Sequence, residues 1–327
     1  MIIFGAGAVG SVLGGRLRQG EADVVLVSRP AHVDAIRTGG LRLRTAKQTD
    51  VIDIAAVTSL DALRPSPDDV VIITAKTQDT PAIHDALLGW NRDVGVVCGT
   101  NGVEHERMAL RRFAAVYAMV IQLPAQFERP GEVTALCAPV NALVDVGRYP
   151  SGIDERAQQL ASLIDASPCM SCEADPNVMV KKHAKLLINL GNAADAACGM
   201  RGRGAAVVAE AIAEGTRAYE AAGIAYEQPD DRAAHYKDRM ATMRFDIPEG
   251  DTFLGGSTWQ SLAKGATSLE TDYFNGEVVL LARLHGVATP ANEFLGRLAA
   301  RLLRERIAPG TMSVAALDAQ WAEAPES

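Results

Sequence analysis

Long apolar runs are missing from this chain of 327 residues. No stretch approaches the roughly 20 apolar residues that a membrane-spanning helix needs. Nor does a basic segment followed by a cleavable apolar one open the sequence. These absences set the expectation of a cytoplasmic protein with no membrane partner. Positive charge is also short, since 32 Lys and Arg face 40 Asp and Glu for a formal net charge of −8. A general nucleic-acid or membrane-surface binder needs the opposite balance, so any anionic ligand has to be held by local groups. Cysteine is scarce and irregular. Cys98, Cys137, Cys169, Cys172 and Cys198 make an odd count without the spacing of a disulfide framework. Cys169 and Cys172 form a lone C-x-x-C, and the six histidines show no ligand spacing, so no metal is expected. Internal repeats and low-complexity segments are absent as well, apart from a polar tail, WAEAPES, expected to fray.

What remains divides in two, as a chain longer than one hydrophobic core usually supports should. The first half alternates helical patterns with short apolar runs: MIIF, DVVLV at 23–27, VIDIAAV, DVVIITA at 69–75, GVVCGTN at 95–101 and AAVYAMVIQ at 114–122. Strands apolar throughout are those of a parallel sheet covered on both faces. TALCA and NALVDVG read as two more strands, and SGIDERAQQLASLIDAS as a closing helix. From Pro176 the texture is helical with little β signal, at 177–198, 204–222, 229–243, 257–265, 271–285 and 291–306. Pro229, Pro290 and Ser257 stand where helices should begin, Gly223 and Gly286 where they should end. The expected architecture is an α/β Rossmann-type dinucleotide-binding domain over 1–168 and an all-α domain over 169–327.

GAGAVG at 5–10 is a G-x-G-x-x-G that follows an apolar strand and opens a helix, the context that makes this motif informative. Gly5 permits the tight turn, Gly7 the approach of a pyrophosphate and Gly10 close helix–strand packing, while Ala6, Ala8 and Val9 supply backbone along the way. The helix N-terminus then faces the phosphates with free N–H groups. At the end of the second strand an NAD site places a carboxylate for the ribose hydroxyls. This chain has Ser28 and Arg29, a hydroxyl and a guanidinium suited to a 2′-phosphate, so NADP(H) is the expected cofactor. The first strand, Met1 to Phe4, is short, and a start site other than Met1 is one reading of it.

The segment KKHAKLLINLGNA at 181–193 mixes a buried helical pattern with polar insertions. At 100° per residue, with Lys185 as zero, Asn189 falls at about +40°, Asn192 at about −20° and Lys181 at about −40°. One polar stripe results, and it is either a solvated face or the wall of a polar pocket. Further on, GGSTWQSLAKGATSLETDYFNGEVVLLARLHGVATP places Ser257, Glu270 and Asn275 in helical segments.

Taken in order, GAGAVG, Arg29, AKTQ around Lys76, TNG around Asn101, KLLIN at 185–189, Ser257 to Gln260, ETDYFNG and HGVATP resemble the ketopantoate reductase (2-dehydropantoate 2-reductase) family over nearly the whole chain. The resemblance implies an all-α domain like the C-terminal domain of 6-phosphogluconate dehydrogenase, a cleft between the domains, and NADPH-dependent reduction of ketopantoate to (R)-pantoate on the way to pantothenate and coenzyme A. It implies Lys76, Asn101 and Glu270 as cofactor contacts beside the glycine loop and Arg29. Lys185 becomes the general acid, with Glu270 in a catalytic supporting role, and Lys185, Asn189, Asn192 and Ser257 face a small 2-oxo acid. Hydride delivery to a ketone leaves an alkoxide that an ammonium both stabilises and protonates. Simpler readings exist for several of these: Lys76 as a loop charge, Asn101 as a turn residue, Ser257 as an N-cap and Glu270 as a first-turn acid.

Departures fall on the substrate side. Ala193 stands where the family carries a second asparagine, Arg201 and Arg203 lie where another is expected, and Ser261 replaces an acid. The interval from Ser257 to Glu270 is one residue longer than in better-known members. A different 2-oxo acid or ketone is therefore the rival substrate, and a non-catalytic NADP(H) sensor the rival of another class. A homodimer has apolar helical surface to draw on, but no sequence feature demands it.

Overall fold

Ile2 and Ile3 point to opposite faces of their strand, as consecutive strand residues must, and both are buried. The same holds along Val70–Ile73 and Gly95–Cys98, so these strands need cover on both sides. In the computed structural model, which describes residues 1–66, 68–252 and 255–324, they lie inside an eight-stranded sheet. Its order is Met170–Ala174, Ala142–Arg148, Val116–Gln122, Gly95–Cys98, Val70–Ile73, Ile2–Phe4, Val25–Val27, Ala55–Val57. Neighbours pair parallel except where Ala142–Arg148 runs antiparallel to Val116–Gln122. Leu13 and Leu17 of the helix Ala8–Gln19 pack with Ile3, Leu26 and Ile72 on one face. Ile83 and Leu87 of the helix Thr80–Trp90 join Ile2, Val71 and Ile73 on the other.

The chain divides into two compact units. The first holds Met1–Asn101, His105–Lys181 and Gln228–Thr252; the second holds Gly102–Glu104, Lys182–Glu227 and the described residues from 255 onward. The first is the expected Rossmann-type unit, and every regular element of the second among the described residues is helical. The boundary read at 168 falls one strand early, because Met170–Ala174 pairs in register with Ala142–Arg148. The helix Pro229–Thr242 also belongs to the first unit rather than to the helical one.

A buried carboxylate accounts for that return. Asp145, fully buried on its strand, accepts from Arg239 at 2.7 Å and from the Tyr236 hydroxyl, and lies 3.3 Å from the Lys181 ammonium. Lys181 is itself paired with Asp175 at 2.7 Å. Lys181 therefore leaves the polar stripe proposed for its helix and serves the sheet instead. Beyond this helix, Met243–Phe245 pairs with Cys137–Pro139, a strand too short to leave a periodic signal. A four-stranded sheet has the order Thr49–Ile52, Leu41–Arg44, Glu132–Ala135, Ala125–Arg129, and TALCA, read as one strand, is divided between Glu132–Ala135 of this sheet and Cys137–Pro139. The run VIDIAAV read as one strand is divided between the two sheets, at Thr49–Ile52 and Ala55–Val57.

In the second unit, Pro290 begins its helix, while Gly223 and Gly286 end theirs in the left-handed region, with φ of 65° and 72°. Glu214, wholly buried, accepts from the Ala291 and Asn292 backbone N–H groups and from the Asn292 side chain, so an internal carboxylate caps Pro290–Arg304. Burial pushes its pKa up, opposed by those three donors.

Two buried histidines of the first unit make folding pH-dependent. His32 and His84 are 2% and 1% exposed, and burial lowers each from 6.5 to about 4. Between those values the unfolded chain binds protons that the folded chain refuses. Stability to urea should be flat above pH 7 on this account, then fall from pH 6.5 toward 4 by about 1.4 kcal/mol per pH unit for each histidine. Unfolding midpoints across that range, compared with a His84→Asn variant of shallower slope, check this.

Candidate active site

The sheet order reverses at Ile2–Phe4, from which the chain passes first to Val25–Val27 on one side and later to Val70–Ile73 on the other. In an open α/β sheet the ligand crevice lies at the carboxyl ends of the strands that flank such a point. GAGAVG occupies that position. Gly5 has φ +90°, its N–H donates to Val27 O at 3.0 Å, and an added Cβ would lie 2.5 Å from Ala75 N. A Cβ on Gly10 would lie 2.4 Å from the Thr74 hydroxyl. Gly7 differs: its φ is −85°, and the nearest atom to an added Cβ is Gly5 O at 3.9 Å. The chain's own packing does not call for glycine there, and the open space admits the close approach of a ligand. The following helix, Ala8–Gln19, has no side-chain cap and no acid in its first turn, which leaves its N-terminus suited to an anion. A dinucleotide phosphate fits these residues.

The other cofactor-side residues gather at the same edge. Arg29, exposed, caps the helix Pro30–Gly39 through its backbone, and its guanidinium makes no ion pair among the described residues. The Ser28 hydroxyl donates to Ala6 O at 3.1 Å, tying the end of the second strand to the glycine turn. Lys76 precedes the short turn Thr77–Asp79, and the Thr77 hydroxyl donates to the Asn101 carbonyl at 3.1 Å, which joins the loops of Lys76 and Asn101. Ala6, Arg29, Lys76 and Asn101 thus follow four adjacent parallel strands at their carboxyl ends.

On the helical unit, Lys185 and Asn189 lie one turn apart on Val178–Asn189, both half-buried. The Asn189 amide nitrogen is buried without a hydrogen-bond partner among the described residues. A buried donor left unpaired is unfavourable, and a ligand oxygen would satisfy it. The helix read as continuous over 177–198 breaks at Leu190 and Gly191 and resumes as Asn192–Cys198. The angle assigned to Asn192 therefore does not hold. Its side-chain oxygen instead accepts from Arg203 at 2.7 Å. Arg203 also donates to Asp195 at 3.1 Å and to Ile188 O at 3.3 Å, so its guanidinium is engaged within the unit.

Asp195, fully buried in a run of small apolar residues, accepts from the Gly256 N–H at 2.9 Å and so fixes the start of the helix Ser257–Ala263. That cap is Gly256, and the Ser257 hydroxyl is not spent on capping. Glu270 is buried in the short turn Glu270–Tyr273 rather than in the longer helix expected, which begins at Asn275. The Asn275 amide donates to Leu190 O at 3.2 Å and to Asn292 at 3.0 Å, linking the break after Asn189 to the buried Glu214 cap. Sequence reading missed Asp195, Asn292 and Glu214. An acid inside NAADAAC was the available signal for the first. Ala193 is buried, and the Ser261 hydroxyl is turned onto Ser257 O.

Comparison with known proteins shows the family and the fold. Residues 1–147 match the sequence profile described as Ketopantoate reductase PanE/ApbA, and residues 177–302 that of its C-terminal domain. A 2-dehydropantoate 2-reductase of Caulobacter vibrioides is 28% identical over 312 residues, covering 89% of this chain and 94% of that protein. One from Halobacterium salinarum is 27% identical, covering 91% and 97%. Among solved structures, a PanE/ApbA family ketopantoate reductase from Ralstonia eutropha superposes with a TM-score of 0.74 at 26% identity, covering 94% of this chain and 99% of that one. D-mandelate dehydrogenase with NADH and anilino(oxo)acetate gives 0.76 at 22% identity over 94% and 99%, a likeness of fold alone.

The contrast between the two glycines is testable. Gly10→Ala should destabilise the fold by about 1–3 kcal/mol through overpacking against Thr74. Gly7→Ala should leave stability within about 0.5 kcal/mol yet weaken dinucleotide binding roughly tenfold or more. Urea unfolding and coenzyme fluorescence titration on both variants measure the two effects separately.

Proposed function

Because the chain belongs to the ketopantoate reductase family, we propose that it reduces 2-dehydropantoate to (R)-pantoate with NADPH, a step toward pantothenate and coenzyme A. The observation that carries the chemistry is the pair Lys185 and Asn189, one helical turn apart, with a buried amide nitrogen on Asn189 that has no hydrogen-bond partner among the described residues. A sensor of NADP(H) would need the glycine turn and Arg29 but not this pair.

NADPH supplies the hydride when bound. The uncapped N-terminus of Ala8–Gln19 holds the pyrophosphate, with Gly7 allowing its approach. The Arg29 guanidinium, at the end of the second strand, takes the 2′-phosphate by a charge-assisted fork. In this reading Lys76, Asn101 and Glu270 complete the coenzyme contacts. The Lys185 ammonium stabilises the oxygen as negative charge develops on it and donates the proton that completes the alcohol. Asn189 donates to a substrate oxygen without adding charge, Glu270 accepts from a hydroxyl or steadies the ammonium, and the Ser257 hydroxyl contacts the substrate.

A different 2-oxo acid is the second reading, and one observation favours it. Ala193 brings no amide, and Asn192 and Arg203 are bonded to each other, so the substrate-side amides of the family are reduced here to Asn189. The reading carries with it a cytoplasmic location. For a homodimer the support is apolar surface on the helical unit, such as Leu280 and Leu284, 49% and 72% exposed.

Purified protein supplied with NADPH and a panel of 2-oxo acids should oxidise the coenzyme fastest with ketopantoate, read as loss of NADPH absorbance. Turnover with ketopantoate no better than with the others would transfer the assignment to the second reading. Lys185→Ala should lower kcat by roughly a factor of 10² to 10⁴, the range of general-acid catalysis, while NADPH binding by fluorescence titration persists. A near-normal kcat in that variant would remove the proton-donor role.

A further inference from the structure

His32 takes no part in the chemistry proposed above, although its ring is buried against the glycine turn. The Gly131 backbone N–H points at its Nδ1 from 2.8 Å. An N–H can only donate, so Nδ1 is the acceptor, and in a ring with one proton that proton resides on Nε2. Nε2 lies 3.1 Å from the Ser11 hydroxyl oxygen, and Ser11 Oγ in turn lies 3.2 Å from the Ala6 carbonyl. The direction of each bond follows: Gly131 donates to His32, His32 to Ser11, and Ser11 to Ala6. All three side chains are buried, with His32 at 2%, Ser11 at 0% and Ala6 at 1% exposure. Burial lowers the ring to about 4, which keeps it to the single proton this relay requires.

The end of the relay matters because of which peptide it holds. The Ala6 carbonyl accepts from Ser11 and from Ser28, filling both its lone pairs. Its plane includes the Gly7 N–H, which closes onto Gly5 O at 2.6 Å. Fixing that plane fixes the entry into Ala8–Gln19. The other end is equally determined. His32 stands in the first turn of Pro30–Gly39, and its own N–H donates to Arg29 O at 3.0 Å. Gly131, with φ +82°, packs so closely that an added Cβ would lie 2.9 Å from Ala35 Cβ of the same helix. The His32 ring also lies 4.9 Å from that of Phe127, on the neighbouring strand of the small sheet.

We propose that His32 is a positioning residue for the coenzyme: acting through Ser11, it locks the Ala6–Gly7 peptide in the orientation that presents the helix N-terminus to the dinucleotide pyrophosphate. The small sheet thereby acquires a function, since its Gly131 turn selects the tautomer. This inference rests on the dinucleotide reading of the glycine turn.

The test compares four variants with the parent by fluorescence titration of NADPH and of NADH, together with kcat at saturating NADPH. His32→Asn keeps an acceptor near Gly131 but loses the donor to Ser11, and His32→Gln keeps the donor and loses the acceptor. Ser11→Ala removes one hydroxyl and guards against a His32 variant that folds poorly. His32→Asn and Ser11→Ala should each raise Kd for both dinucleotides by about three- to tenfold, with kcat held within about twofold. The double variant should be no weaker than the worse single one, because both cut the same relay, and His32→Gln should bind more tightly than His32→Asn. Unchanged Kd in Ser11→Ala, multiplied losses in the double variant, or Gln no better than Asn would each overturn the proposal. A parent protein that binds neither dinucleotide would overturn the coenzyme reading itself, an outcome distinct from a parent that binds and variants that do not differ.

Discussion

Gly10 comes so close to Thr74 that any side chain there would meet its hydroxyl, and Gly5 stands in the same relation to Ala75. This approach of the first helix and its turn to the neighbouring strand end sets the place proposed for the coenzyme. It brings the helix N-terminus to the point where the strand order reverses, with Arg29, Lys76 and Asn101 following adjacent strands. Gly7 is spared the same crowding. The three glycines of one motif therefore answer to different physical demands: a positive φ and a close backbone for Gly5, open space for Gly7 and helix-to-strand contact for Gly10.

Buried polar groups organise the remainder of both units. Asp145 gathers Arg239, Tyr236 and Lys181 around one carboxylate, and Glu214 serves the N-terminus of Pro290–Arg304 and, through Asn292 and Asn275, the break after Asn189. An isolated buried charge is strongly unfavourable, so each carboxylate is accompanied by enough donors to satisfy it. Such clusters fix geometry more than they add stability. Asp145 fixes where Pro229–Thr242 rests on the sheet, and the Glu214 network fixes the end of the helix that carries Lys185 and Asn189.

Legibility of the site followed from how local its determinants are. The glycine motif, Arg29 and the spacing of Lys185 and Asn189 depend on chain neighbours and on one helical turn, and all were read from the sequence. Asn192 was misjudged because a helix was extended through Gly191, where the Leu190 carbonyl is taken by Asn275 from 85 residues away. Lys181 was misjudged for a similar reason, since the carboxylate of Asp145 lies on a distant strand.

By itself the sequence determined the parallel sheet, from runs apolar on both faces, the helical character of the second unit, the glycine turn and the family. Those properties arise from periodicity and from residue chemistry within a few positions. Only the tertiary structure decided that Pro229–Thr242 belongs to the first unit, that Arg203 is held by Asn192 and Asp195, and that His32 is buried against the glycine turn. The first and last depend on hydrogen bonds or ion pairs between residues 21 to 99 positions apart, and the Arg203 contacts span 8 and 11 positions across a helix break and a turn; the pattern of either partner alone carries no trace of the other.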